Sequence, residues 1–180
     1  MRAGAPERTG KGMAPNETPA VLHVALVEPE IHPNTGNVAR LCAANRIPLH
    51  LVGALGFRID DRSVRRAGLD YWPYVELRRW QNLDALRLAL EPARFFYFSA
   101  RAARPYTDVT FQEGDCLVFG PESSGLPREL LEANKDHALK IPMRSSCVRS
   151  LNLASAVAIA VYEALRQLGK IAFANPKPEC

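Results

Sequence analysis

The sequence lacks several features that would assign it quickly to a class of protein. No uninterrupted apolar stretch approaches the ~18 residues of a membrane-spanning helix, so we expect no membrane anchor. The 4 histidines are scattered without ligand spacing, and the cysteines form no CxxC pair. This pattern predicts neither a metal site nor a disulfide framework, and it fits a reducing cytoplasm. The cysteines are Cys42, Cys116, Cys147 and Cys180.

The ends of the chain carry little that could be buried. Residues 1–20 are mostly Gly, Pro, Ala and charged residues, and they lack the apolar core of a signal peptide. We therefore expect a disordered tail over 1–20, one domain over 21–170 and a short tail over 171–180. The total of 180 residues is enough for one domain with a proper core.

Apolar runs alternate with helical periodicity along the predicted domain. Strands are predicted at 22–27, 48–53, 74–78, 94–99, 115–119 and 137–141. Helices are predicted at 36–45, 62–68, 82–90, 127–134 and 152–168. Strands that alternate with helices favour a single-domain α/β fold, with a mainly parallel sheet covered by helices on both faces.

Two segments place polar residues where a strand passes into a helix. Glu28–Arg40 follows the first strand and leads into a helix that Asn34 or Thr35 can cap. Gly120–Pro127 is a glycine-containing turn after a buried strand, where open α/β sheets bind ligands. It lacks the Gly-Lys-Ser/Thr of a phosphate-binding loop. Taken alone, Gly120–Pro127 is consistent with a plain strand-to-helix turn, and Arg40 with a solvated helix arginine.

A third segment, Arg149–Ala158, opens a strongly apolar helix. Ser150 and Asn152 can cap its exposed amides, which makes the helix start a candidate site for a polar ligand. The alternative is a capped core helix with no ligand. The apolar stripe recurs with a period near 3.6 residues. Its members are Ala154, Val157, Ala158, Val161, Leu165 and Leu168.

Together with Arg65–Tyr71 and Ile141–Met143, these segments resemble the motifs of the SPOUT (SpoU–TrmD) methyltransferase superfamily in order and spacing. The match is closest to the YibK/TrmL type and covers residues 21–170. It implies a C-terminal trefoil knot and S-adenosylmethionine-dependent 2′-O-methylation of the tRNA wobble nucleotide, cytidine or uridine 34. Two alternatives stay open: methylation of another tRNA position or of ribosomal RNA, and a non-catalytic RNA-binding protein.

The resemblance also implies roles for individual residues. Arg40 matches the arginine assigned to the catalytic step. The positions matching the S-adenosylmethionine site are Phe98, Gly120, Ile141 and Ser150.

Arginines and aromatic residues cluster between Arg58 and Trp80, which suits phosphates and unpaired bases. The alternative is an ordinary solvated face.

The resemblance favours contact with the tRNA anticodon loop, and it implies a homodimer in which both chains build each site. Arg101 stands where relatives often carry lysine, and Tyr162 is expected near the shared site. The expected RNA-contacting residues are Arg65, Arg66, Arg101, Arg149 and Tyr162.

Overall fold

The computed structural model describes residues 20–56, 71–145 and 147–171. The predicted tails lie almost entirely outside these ranges, and the predicted helix 62–68 lies outside them with Arg65 and Arg66. No helix in the described ranges is long and apolar enough to cross a membrane. The α-helices described there are α1 (His32–Ala44), α2 (Leu83–Ala89), α3 (Arg128–Ala133) and α4 (Leu153–Gln167).

Within the described residues, seven strands form one sheet in the order β3-β2-β1-β6-β4-β7-β5. All neighbouring strands pair in parallel, as the alternation of elements predicts. The strands are β1 (Leu22–Val27), β2 (Leu49–Val52), β3 (Leu77–Trp80), β4 (Phe95–Phe98), β5 (Arg104–Pro105), β6 (Asp115–Phe119) and β7 (Ala138–Lys140).

The sheet separates two hydrophobic cores, because successive strand residues point to opposite faces. On one face, Leu22 and Leu26 of β1 belong to the core that the sheet forms with α1 and α4. On the other face, Ala25 of the same strand belongs to a core that includes Leu86 of α2 and Leu131 of α3. Helices therefore cover both faces of the sheet, as predicted.

The start of α1 differs from the prediction. The helix begins at His32 instead of residue 36, with Pro33 in its first turn, where the fixed φ of proline suits a helix. Asn34 and Thr35, predicted as caps, instead lie within the first turn of the helix, and both residues are buried. The capping position belongs to Ile31, which makes no capping hydrogen bond through its side chain.

The strand predicted at 74–78 is also shifted. Residues Trp72–Tyr74 form a short 3-10 helix that contains Pro73, and strand β3 runs over Leu77–Trp80. The two-residue strand β5 was not predicted, because so short a segment has no detectable periodicity. The predictions for β1 and β6 match the structure, and the predicted helix 152–168 exceeds α4 by one residue at each end.

Candidate active site at the carboxyl edge of the sheet

A cavity of about 550 Å³ lies beyond the carboxyl ends of β4, β6 and β7. Its volume falls within the roughly 300–1,000 Å³ typical of small-molecule sites. Parallel strands all end at one edge of their sheet, so the loops that follow them meet there. The first turn of α1 and the segment entering α4 complete the wall through Asn34 and Asn152.

All four residues predicted to bind the cofactor line this cavity. Phe98 ends β4 and stacks on Phe119, with ring centroids 4.8 Å apart and an interplanar angle of 16°. Gly120 follows β6, Ile141 follows β7, and Ser150 precedes α4. The structure thus brings together residues that are distant in the chain: Phe98 and Ser150 are 52 positions apart.

The loop of residues 120–126 begins at Gly120, one of the predicted cofactor positions, and is here called the cofactor loop for that reason. It folds back over its own first residue. A Cβ atom at Gly120 would come within 2.5 Å of the carbonyl carbon of Gly125 and would also overlap the backbone nitrogen of Leu126. Gly125 has a φ of +67°, a conformation that glycine adopts without strain. Gly120 is therefore required by the packing of the loop itself, in addition to any approach of a ligand.

Glu122 joins the cofactor loop to α1. Its carboxylate accepts hydrogen bonds from the backbone amides of Glu30 at 2.8 Å and Ile31 at 3.2 Å, and from Asn34 Nδ2 at 3.0 Å. Burial alone would raise the pKa of the Glu122 carboxyl. The hydrogen bonds from Asn34 and the amides outweigh burial and hold the pKa below its usual value, so Glu122 is a carboxylate at neutral pH.

A reciprocal contact strengthens this junction. The carboxylate of Glu30 accepts hydrogen bonds from the backbone amide of Ser123 at 2.9 Å and from its hydroxyl at 2.7 Å. Each segment donates hydrogen bonds to a carboxylate of the other. These bonds fix the position of the cofactor loop relative to the segment before α1.

Asn34 extends the same network to α4. Its Oδ1 accepts a hydrogen bond from Asn152 Nδ2 at 2.9 Å. Asn152 Oδ1 in turn accepts from the backbone amides of Ala154 at 2.9 Å and Ser155 at 3.3 Å, so Asn152 is the N-cap of α4. The predicted cap at Asn152 is confirmed. One chain of polar contacts thus links the cofactor loop, α1 and α4.

Glu30 and Asn34 were not predicted as site residues. Sequence reasoning treats Asn34 as a local helix cap, since its partner Glu122 lies 88 residues away. The available signal was that both residues lie in the segment that follows a predicted strand, at the edge where parallel sheets bind ligands.

Arg101 and Arg149 also line the cavity. The guanidinium of Arg101 donates through Nη2 to the carbonyl oxygens of Ser124 at 3.0 Å and Leu126 at 2.5 Å. It therefore crosses from the end of β4 to the cofactor loop. Arg149 is exposed on the side of the cavity where the chain enters α4.

Arg40 is exposed and is not among the residues that line the cavity. It lies six positions after Asn34, about 9 Å along α1 and about 120° around it. Its guanidinium carbon lies 5.1 Å from the ring centroid of Tyr71, and Tyr71 Oη donates to the carbonyl oxygen of Gly36 at 3.1 Å. Tyr162 is exposed on α4 and is also outside the cavity wall.

The fold and the site at the carboxyl edge of its sheet define an α/β protein with a small-molecule cavity. Residues 21–162 match the SpoU rRNA Methylase family, and the chain belongs to that family. A tRNA (cytidine(34)-2′-O)-methyltransferase of Aeromonas hydrophila is 48% identical over 150 residues, which cover 83% of this chain and 96% of the relative.

Solved structures show the same relationship. One, described as structural insights into the 2-OH methylation of C/U34 on tRNA, has a TM-score of 0.75 and 52% identity, covering 82% of this chain and 96% of its own. The SpoU methyltransferase AviRb of Streptomyces viridochromogenes, in complex with the cofactor AdoMet, has a TM-score of 0.70 and 25% identity. That match covers 85% of this chain and 62% of AviRb.

Proposed function

We propose that this protein transfers a methyl group from S-adenosylmethionine to the ribose 2′-oxygen of nucleotide 34, cytidine or uridine, in tRNA. One observation carries the proposal. A single cavity assembles the four predicted cofactor residues in a chain that shares 48% identity with a tRNA (cytidine(34)-2′-O)-methyltransferase. Because tRNA is its substrate, we place the enzyme in the cytoplasm.

The residues of the cavity suit S-adenosylmethionine. Phe98, Phe119 and Ile141 offer an apolar wall for a purine ring, while Ser150 and the backbone of the cofactor loop offer polar groups for the ribose and amino acid. The bound cofactor supplies an electrophilic methyl group on a sulfonium. The protein holds that group in place relative to the ribose, and such positioning contributes a large share of catalysis.

Arg40 is the proposed catalytic residue. A ribose 2′-hydroxyl is a weak nucleophile that must lose its proton as it attacks the methyl group. Because a guanidinium is always protonated, Arg40 does not act as the general base. It orients the neighbouring phosphate and stabilises the negative charge that develops on the 2′-oxygen. The proton passes to water or to a phosphate oxygen.

We propose that RNA contacts surround this centre. Arg149 at the rim of the cavity is exposed and can reach a phosphate, and Tyr162 offers an exposed ring for contact with a base or ribose. Arg65 and Arg66, outside the described residues, complete the proposed anticodon-loop surface. Arg101 was predicted to join them, but its guanidinium contacts the cofactor loop.

The active enzyme is proposed to be a homodimer with shared sites. The outer face of α4 exposes Ile159 and Tyr162, at 37% and 47% of their full accessibility. Arg40 lies outside the cavity wall of its own chain. A two-fold pairing that covers the α4 face would let α1 of one chain complete the site of the other.

We also propose the C-terminal trefoil knot that the resemblance implies. Strand β6 lies between β1 and β4, which precede it in the chain, and β7 lies between β4 and β5. After β7 the chain returns across the sheet, so that α4 packs against α1 and contacts β6. This return of the last segment across earlier strands supports the knot.

The test uses purified protein, S-adenosylmethionine with a labelled methyl group, and two tRNAs that differ only by a 2′-deoxynucleotide at position 34. We expect transfer to the normal tRNA and none to the deoxy tRNA, with mass spectrometry locating the methyl group on nucleoside 34. Equal labelling of both tRNAs would favour another position. Binding of tRNA without methylation of tRNA or ribosomal RNA would favour the non-catalytic alternative.

A further inference from the structure

Arg101 ties two walls of the cavity together. The residue follows β4, whose last residue Phe98 lines the cavity, and its guanidinium reaches a loop 23 to 25 residues further along the chain. Both bonds leave from one nitrogen, Nη2, whose two hydrogens match the two carbonyl oxygens of Ser124 and Leu126. Bonds from a charged donor are stronger than those between neutral groups.

The contact acts at the tightest point of the cofactor loop. Gly125 lies between the two carbonyls with a φ of +67°, and a Cβ atom there would lie 3.4 Å from Arg101 Nη2. The backbone of Gly125 and Leu126 is also the part that a Cβ atom added at Gly120 would meet. Arg101 therefore bonds to the same stretch of backbone that leaves no room for a side chain at Gly120.

We propose that Arg101 is a positioning residue that holds the cofactor loop in the shape required for S-adenosylmethionine, and that cofactor affinity depends on it more than tRNA affinity does. The proposal rests on the proposed function and changes the role that the sequence predicted for Arg101. A guanidinium that donates to loop carbonyls has less freedom to meet an RNA phosphate.

Arg104 provides a matched control. Its guanidinium also bridges two carbonyl oxygens, donating through Nη1 to Asp136 at 2.9 Å and through Nη2 to Asp108 at 2.7 Å. Arg104 is exposed like Arg101, but it does not line the cavity. The same substitution at Arg104 removes equivalent hydrogen bonds away from the cofactor loop.

The first measurement is calorimetry of S-adenosylmethionine binding without RNA, on wild type, Arg101→Met, Arg101→Lys and Arg104→Met. We expect Arg101→Met to weaken binding by about tenfold or more, the scale of one charge-assisted hydrogen bond. Arg101→Lys keeps the charge and should recover most of the affinity. Arg104→Met should bind like wild type, and thermal unfolding checks that each variant is folded.

The second measurement is tRNA binding across a range of salt concentrations. Loss of a phosphate contact would weaken tRNA binding and lower the slope of log affinity against log salt by about one. We expect neither change in Arg101→Met. Normal cofactor affinity together with weaker tRNA binding and a lower slope would overturn the proposal and restore the RNA role.

Hydrogen exchange of the free protein separates this proposal from the proposed function. Arg101→Met should speed exchange of the amides in residues 122–126, and Arg104→Met should not. Unchanged exchange in Arg101→Met would overturn the positioning role whatever the ligand. A wild-type protein that binds no S-adenosylmethionine would overturn the proposed function and the cofactor role of Arg101, while the exchange result would still decide whether Arg101 holds the loop.

Discussion

At the scale of single residues, Gly120 is constrained by the cofactor loop that closes over it. Gly120→Ala would force that loop outward, at an overpacking cost on the order of 1–3 kcal/mol. If this cost destabilises the loop conformation that binds S-adenosylmethionine, the affinity for S-adenosylmethionine drops about 5- to 150-fold. Calorimetry without RNA measures this loss.

The matched control for this prediction is Gly114→Ala, at the opposite end of β6. An added Cβ at Gly114 meets no atom within 4 Å, but its φ of +86° is strained for alanine. This variant should lose folding stability and keep cofactor affinity. Unchanged affinity in Gly120→Ala would show that the cofactor loop does not shape the site.

Arg40 tests catalysis separately from binding. If its guanidinium stabilises charge on the 2′-oxygen, Arg40→Ala should lower the single-turnover rate by about 10²–10³, typical for loss of one preorganised donor. Cofactor affinity should change little, since Arg40 does not line the cavity. Arg40→Lys keeps a charge near Tyr71 and should retain more activity. A near-normal rate for Arg40→Ala at saturating tRNA and cofactor would leave Arg40 as a solvated helix residue.

At the scale of elements, local signals predict some features and miss others. The apolar period and the cap at Asn152 predict 152–168, close to the observed Leu153–Gln167, because both signals lie within the helix. The start of α1 was misplaced because Asn34 contacts Glu122 and Asn152, which are distant in the chain. The contacts of Arg101 depend on the backbone of the cofactor loop, which no periodicity reveals.

A chain of polar rings crosses strands β1 to β3. Trp80 Nε1 donates to His50 Nδ1 at 2.9 Å, and His50 Nε2 lies 3.0 Å from His23 Nδ1. Since His50 Nδ1 accepts, His50 carries its proton on Nε2 and donates to His23. Burial, and then the nearby charge of Arg78, lower the pKa of His23 to about 4. Burial, His23 and Arg78 together place the pKa of His50 well below its usual value.

These histidines predict loss of stability in mild acid. Between pH 6.5 and about 4 the unfolded chain binds protons that the folded chain does not, so the free energy of unfolding falls as pH falls. For His23 alone the loss from pH 7 to pH 5 is about 2 kcal/mol. Urea unfolding at one fixed protein concentration measures it. His23→Gln should reduce the loss of stability, whereas His137→Gln, at an exposed position, should not. Equal losses in wild type and both variants would contradict the assignment of the loss to His23.

At the scale of the whole molecule, the class of fold was predictable and the order of strands was not. Alternating strands and helices indicate a parallel sheet covered on both faces, which the structure confirms. The placement of β6 between β1 and β4 depends on pairing between strands far apart in sequence. The four cofactor positions were identified through the resemblance, and only the folded chain shows them in one cavity.

The proposed homodimer is the property of the whole molecule most directly open to test. Light scattering at micromolar concentration should give twice the chain mass of 19.9 kDa. Ile159→Lys places a charge on the exposed apolar face of α4 and should shift the protein to monomer, with loss of methyl transfer if both chains build each site. Leu88→Lys is the control, since Leu88 is 67% exposed on α2 across the sheet; it should stay dimeric and active. A wild-type mass near that of one chain, or an Ile159→Lys variant that remains dimeric, would contradict an interface on α4.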